Sequence, residues 1–144
     1  MRSLYLIRHA KSSWDDPLLK DSERPLNKRG KQDAPLMGRL LNKMGEHPDL
    51  IITSPAKRAK STAKRIAAEI GYDEKGIIID KLLYMADIED FVNVISATSN
   101  KIFRLMLFSH NYGITDFANY ASSSDISNIP TCGAVKIDFE FDSW

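Results

Sequence analysis

The sequence predicts an α/β layer fold built on a mostly parallel sheet, and two observations carry that prediction. Short runs rich in β-branched and aliphatic residues alternate along the chain with longer segments of helical period. The polar clusters that could do chemistry follow directly behind those short runs, where a parallel sheet places its binding edge.

The first run, "LYLI" (Leu4 to Ile7), reads as a strand, as do "DLIIT" (Asp49 to Thr53), "GIIID" (Gly76 to Asp80) and "IFRLMLF" (Ile102 to Phe108). The middle two lack a polar face, which predicts strands buried on both sides. Asn27 can cap a helix to about Lys43, with Leu36, Leu40, Leu41 and Met44 as its apolar face and Pro35 as a place to kink or delay it. The clearest helix is "SPAKRAKSTAKRIAAEIG": Ser54 as cap, Pro55 in the first turn, an alanine-rich body and Gly71 as the stop. Asp87 opens "IEDFVNVISA" in the same manner, and a short helix is expected over about Tyr112 to Tyr120. Strict alternation in "AVKIDFEF", with Val135, Ile137, Phe139 and Phe141 on one side, predicts a half-buried strand near a sheet edge.

At 144 residues a single domain spanning 1–144 is expected, and 43% apolar with 27% charged residues is ordinary globular usage. The formal charge of +1 provides no global field for nucleic acid or an anionic membrane, so neither is expected as a partner and any anion site is local. A lone cysteine, Cys132, has no internal disulfide partner and reads as a small residue packed near the last strand, in keeping with a reducing cytoplasm. The apolar run at the start ends at Ile7, short of a signal-peptide core, and no stretch is long enough for a membrane span. A cytoplasmic monomer is the expectation.

"RHAKSS" follows the first strand, "TSPAKR" the second and "SHNYG" the fourth, so parallel pairing would gather His9, His110, Arg8, Arg58, Lys11, Ser12 and Ser54 at one edge, with the amides that open the helix after Ser54. Two guanidiniums and a helix N-terminus suit an anion with several oxygens, phosphate above all. A neutral imidazole there can attack phosphorus and split one displacement into two. Each residue also has a plainer role. Arg8 could pair with a surface carboxylate, either histidine could be structural, and Arg58 could be solvated among Lys57, Lys60 and Lys64.

"LYLIRHAKSSW", "SPAKRAKSTA" and "FSHNYGITDF" together resemble the histidine phosphatase (phosphoglycerate mutase-like) superfamily, in particular its short branch of SixA-like phosphohistidine phosphatases. Ala10 gives Arg-His-Ala where most of the superfamily has Arg-His-Gly, as in the SixA-like branch; "RPLNKRGKQDA" and "IPTCGAVKIDFEFDSW" also resemble family segments, so the likeness runs from about Leu4 to Trp144. It implies a three-layer α/β/α sandwich. It further implies that His9 is the nucleophile, and that Arg8, Arg58 and a protonated His110 hold the phosphoryl oxygens, with Lys11 and Ser12 beside them. No metal or other cofactor is called for, and neither a Cys-x-x-Cys pair nor a His-Glu-x-x-His helix is present.

Many larger members carry a glutamate that protonates the leaving oxygen; the corresponding region here, "IIIDKLLYMADIEDF", offers only Asp80, Asp87 and Glu89. Asp87 reads more simply as a cap and Glu89 as a first-turn residue, which leaves Asp80 as the candidate acid. A missing acid favours a phosphoramidate substrate, because imidazole is a far better leaving group than an alkoxide. A short chain also leaves an open edge rimmed by Trp14, Lys20, Arg24 and Lys28, with Trp14 either meeting a partner or anchoring the loop. Three functions stand: hydrolysis of phosphohistidine on a signalling protein, hydrolysis of small phosphorylated metabolites with Asp80 or water as acid, and a phosphate-binding module without turnover.

Overall fold

The computed structural model describes residues 1–144. In chain order it contains β1 (Arg2–Arg8), α1 (Lys28–Lys43), β2 (Leu50–Thr53), α2 (Lys57–Ile70), β3 (Ile78–Ile79), α3 (Ile88–Ser96), β4 (Arg104–Ser109), α4 (Gly113–Ser122) and β5 (Ala134–Phe139), with short 3-10 turns at Asp21–Glu23, Glu74–Gly76 and Lys81–Leu83. The sheet order is β3-β2-β4-β1-β5; β5 pairs antiparallel with β1 and every other pair is parallel.

Period-2 alternation divides the core into two layers. Leu4, Leu6, Leu105 and Leu107 pack on one face with Phe91 and Val94 of α3 and Ile114 and Phe117 of α4. Tyr5, Ile7, Met106 and Phe108 pack on the other with Leu41 of α1 and Ala63, Ile66 and Ile70 of α2. Central strands covered on both faces need apolar side chains at every position, which is why their runs are continuous. The result is the expected three-layer α/β/α sandwich, with β5 at one edge of the sheet.

Three local expectations need correction. The "GIIID" run is not buried on both faces: only Ile78 and Ile79 pair, at the opposite edge of the sheet, and they remain 50% and 54% exposed. The buried face of α1 is not the leucine and methionine stripe, since Leu36, Leu40 and Met44 are exposed and only Leu41 is covered. Gly30, Ala34 and Gly38 face inward instead, because α1 lies too close to its neighbours for larger side chains. A Cβ at Gly38 would sit 2.7 Å from Cβ of Glu69 on α2, and one at Gly30 would sit 2.1 Å from the carbonyl oxygen of Lys11. Pro35 lies inside this helix without ending it, and Asn27 caps it by accepting from the Gly30 amide.

The third correction concerns Ser54, which does not cap α2. That helix begins at Lys57 behind Ala56, while the Ser54 hydroxyl is engaged elsewhere. The other end follows expectation, with Gly71 left-handed at φ 73, and Asp87 caps α3 through a reciprocal capping box with Asp90.

Candidate active site

Helices α1 and α2 cover one face of the sheet and α3 and α4 the other, so the chain leaves the carboxyl ends of neighbouring β1 and β4 in opposite directions. A crevice opens at such a switch point. Arg8 and Ser109 are register partners, which brings His9 and His110 out of the sheet side by side with ring centroids 5.1 Å apart.

His9 is 7% exposed, and its Nδ1 lies 2.7 Å from the carbonyl oxygen of Ala10. A carbonyl can only accept, so Nδ1 carries the proton and Nε2 keeps its lone pair. Ala10 is fixed in turn by α2: its amide donates to the Thr62 hydroxyl (2.9 Å), which donates to the Arg58 carbonyl (2.7 Å). Burial, assisted by the guanidiniums of Arg58, Arg8 and Arg24, pushes the His9 imidazole down to about 4, so it is neutral at pH 7.

Arg58 is 3% exposed and is not a solvated surface charge. It donates to the backbone oxygen of Asp21 (2.6 Å) and to its carboxylate (2.9 Å), and its Nε points at Nε2 of His9 from 3.4 Å. The same Asp21 carboxylate accepts from the Tyr84 hydroxyl (2.6 Å) and from Nε of Arg24 (3.2 Å). Burial resists ionisation of Asp21, but the hydrogen bonds from Tyr84 and Arg58 outweigh it and hold the carboxyl down at about 2. Arg24 also donates to the Ser12 hydroxyl (2.9 Å) and lies 3.5 Å over the Trp14 ring, so the loop from Ser12 to Pro25 closes on a guanidinium.

Arg8 donates from one terminal nitrogen to the Ile129 carbonyl (2.9 Å) and lines the crevice. Nε2 of His110 lies 2.7 Å from the Ser54 hydroxyl, which also accepts the Ala56 amide. Burial first, then His9 and Arg58, drives His110 down to about 3. The protonated His110 expected from the sequence is therefore not its resting state. Proximity to two arginines and desolvation both penalise the imidazolium until an anion arrives.

These heads line a cleft of ≈ 250 Å³ in which Arg8, His9, Arg58 and His110 converge, with Lys11 and Ser12 at its wall. Asp80 does not join them: its carboxylate accepts the Leu82 amide (2.9 Å) and caps a 3-10 turn outside the cleft. Of the residues that open α2, Arg58 lines it, while Pro55, Ala56 and Lys57 do not. Reading the chain alone missed Asp21, whose only signal was its place in a long polar loop already holding Asp15, Asp16 and Glu23. Tyr84, in a region read only for acids, was missed as well. Chemically, a neutral imidazole whose Nε2 accepts only the long contact from Arg58 borders a space lined by four cations and one carboxylate, an arrangement that can attack the phosphorus of a bound phosphoryl group and stabilise the charge that develops.

Known proteins resemble this chain in sequence and in fold. A family model described as "Histidine phosphatase superfamily (branch 1)" matches residues 4–91. An uncharacterized chloroplastic protein of Arabidopsis thaliana is 34% identical over 99% of this chain and 69% of its own length. Among solved structures, a protein provisionally named phosphohistidine phosphatase SixA from Agrobacterium tumefaciens superimposes with a TM-score of 0.85 at 28% identity, covering 95% of this chain and 91% of that one. A SixA protein histidine phosphatase complexed with tungstate shares the fold at a TM-score of 0.83 and 17% identity, covering 94% and 87%.

Proposed function

The chain belongs to the histidine phosphatase superfamily (branch 1) and is a phosphatase, and from that premise we propose that it hydrolyses phosphohistidine carried on a protein, through a covalent phosphoryl intermediate on His9. The phosphoryl oxygens are held by Arg8 and Arg58, with Lys11 and Ser12 at the entrance. The Nε2 lone pair of His9 attacks phosphorus in line, and the bond from phosphorus to the substrate nitrogen breaks with its electron pair returning to that nitrogen, so that a substrate imidazole already protonated on its other ring nitrogen departs neutral. His110 gains a proton as the dianion enters, because a nearby negative charge reverses the penalty on the imidazolium. Water then attacks phospho-His9, the new bond to Nε2 breaks, and inorganic phosphate leaves with neutral His9 restored.

The observation that carries this reading is the state of the carboxylates. Asp21 is held ionised by its donors and cannot deliver a proton at neutral pH, Asp80 lies outside the cleft, and the proton that His110 gains is directed to the phosphoryl oxygens and not to the leaving group. An alkyl phosphate must expel a strongly basic alkoxide and loses roughly 10²–10⁴-fold without a positioned acid. Imidazole, whose conjugate acid has a pKa of about 6.5, leaves without one. The same site therefore favours phosphohistidine over small phosphomonoesters, and a signalling protein over a metabolite.

We read the enzyme as a cytoplasmic monomer. No helix is long and apolar enough to cross a membrane, and Cys132 is a buried free thiol, pushed up to about 12 by burial.

The test is turnover of phosphoramidate, a phosphohistidine-bearing domain, an alkyl phosphate and an aryl phosphate by the purified protein. The phosphorus–nitrogen substrates should exceed the alkyl phosphate by at least about 10², and His9→Ala should abolish all turnover and acid-labile labelling. Equal rates on alkyl phosphate and phosphoramidate would reject the substrate class, and an active His9→Ala would reject the nucleophile.

A further inference from the structure

Beside the cleft runs a second, larger groove of ≈ 790 Å³ that the reaction does not use. Its floor is the outer face of α2, where Lys57, Lys60, Ser61 and Lys64 stand at i, i+3, i+4 and i+7 and so share one side of the helix. The opposite wall is the loop of the Asp21–Glu23 turn, with Leu19, Ser22 and Pro25. Tyr84 separates the two spaces. Its side chain lines the groove, while its hydroxyl holds Asp21 and its ring meets His110 edge-on at 5.4 Å.

Charge in the groove is unbalanced. The first turn of α2 carries Lys57, Arg58 and Lys60 and no acidic residue, although a helix N-terminus favours negative charge. Arg58 turns inward and is neutralised by Asp21, but neither Lys57 nor Lys60 has a carboxylate within ion-pair distance. Lys64 has only an exposed pair with Glu74 at 3.5 Å, and Glu23 is the one carboxylate lining the groove. Two cations held against the helix dipole without partners cost stability, and an incoming anion relieves that cost.

We infer that this groove receives an acidic segment of the phosphorylated protein, lying along α2 with its carboxylates on Lys57, Lys60 and Lys64 while the phosphohistidine enters the neighbouring cleft. The inference extends the phosphohistidine reading by giving the substrate a charge signature. A polypeptide fits better than the second phosphate of a small metabolite for two reasons. The lysines are spread over about 10 Å of helix, too far for one phosphate to span, and Leu19, Pro25 and Pro55 give the groove apolar walls that suit side chains.

The experiment compares wild type with the triple variant Lys57→Gln, Lys60→Gln, Lys64→Gln on two phosphohistidine peptides, one flanked by Asp and Glu and the other by Asn and Gln. All three lysines lie outside the cleft, and melting curves check that the variant folds. Wild type should prefer the acidic peptide by about tenfold in kcat/KM, carried by KM, with the preference lost in the variant and in high salt. Phosphoramidate turnover should be unchanged by the variant. Binding of a fluorescent, unphosphorylated acidic peptide, read by anisotropy, should weaken by about tenfold in the same variant. Equal wild-type use of both peptides, or acidic-peptide binding that survives the substitutions, overturns the groove assignment. Absence of phosphoramidate turnover in wild type would instead overturn the catalytic reading, and the anisotropy result would still decide the groove.

Discussion

Strand β1 begins and ends with an arginine, and the two are spent differently. Arg2, 4% exposed, delivers its terminal nitrogens to three backbone carbonyls, those of Ile102, Asn100 and Asp142, and lies over the rings of Phe103 and Trp144. Arg8, at the other end of the same strand, makes a single side-chain hydrogen bond, from one terminal nitrogen to Ile129, and lines the cleft. Nε is buried and unpaired in both, so the difference lies wholly in the fork. A guanidinium saturated by carbonyls is a tie between segments; one left half-satisfied beside an imidazole lone pair is a receptor for an anion.

The sharpest way to break that contrast is to truncate each arginine. Arg8→Ala should lower kcat/KM by about 10³, while the melting temperature changes little. Arg2→Ala should do the reverse, costing about 2–4 kcal/mol of stability because it removes a buried tie to three carbonyls, of which only that of Ile102 keeps another donor, the Trp144 indole, with kcat near wild type. Equal losses of activity in both variants would erase the distinction.

The histidines provide the next test. Burial depresses both, to about 4 for His9 and about 3 for His110, so neither ring should titrate by NMR between pH 8 and pH 5 in the phosphate-free protein. Because the folded values lie below the unfolded value of about 6.5, the unfolded chain takes up protons first. The stability is complete above about pH 6.5 and declines as pH falls toward 4. A midpoint near 6.5 for either ring would mean the cleft is wetter than its packing implies.

Asp21 is the smallest lever. Asp21→Asn keeps the shape but removes the charge that holds Arg24 and Arg58, and should lower kcat/KM by about tenfold. Its folded pKa lies below the unfolded value, so its stabilisation is present above about pH 4 and lost as pH falls through about 2. The carboxylate side chain is 41% exposed, and solvent screening limits that contribution to about 1 kcal/mol or less. A variant with wild-type kinetics would show that Arg58 is positioned by packing alone.

Much of this arrangement was legible in the chain. Continuous apolar runs marked β1, β2 and β4, and a polar triplet behind each located Arg8, His9, Arg58 and His110 at one edge. Legibility failed where function depends on closeness. Hydrophobic periodicity points to Leu36, Leu40 and Met44 because it weighs apolarity, whereas α1 packs by having almost no side chain at Gly30, Ala34 and Gly38. Ser54 satisfies every rule for a cap, but α2 begins three residues later at Lys57, and the Ser54 hydroxyl meets His110 from β4 while accepting the Ala56 amide. Asp21 belongs to no periodic pattern; it becomes a site residue when a single 3-10 turn returns it to α2 and Tyr84. Each of these misses is a contact between segments far apart in sequence.

Gly30 shows how far such closeness reaches. It carries no reactive group and lies on a helix behind the cleft, yet one added methyl would collide with the backbone oxygen of Lys11, two residues beyond His9. Backbone cannot swing aside as a long side chain can, so the strain would pass along the chain to the imidazole. The set of positions that can silence this enzyme is therefore wider than the set that touches its substrate, and it includes a residue whose whole contribution is to occupy no space.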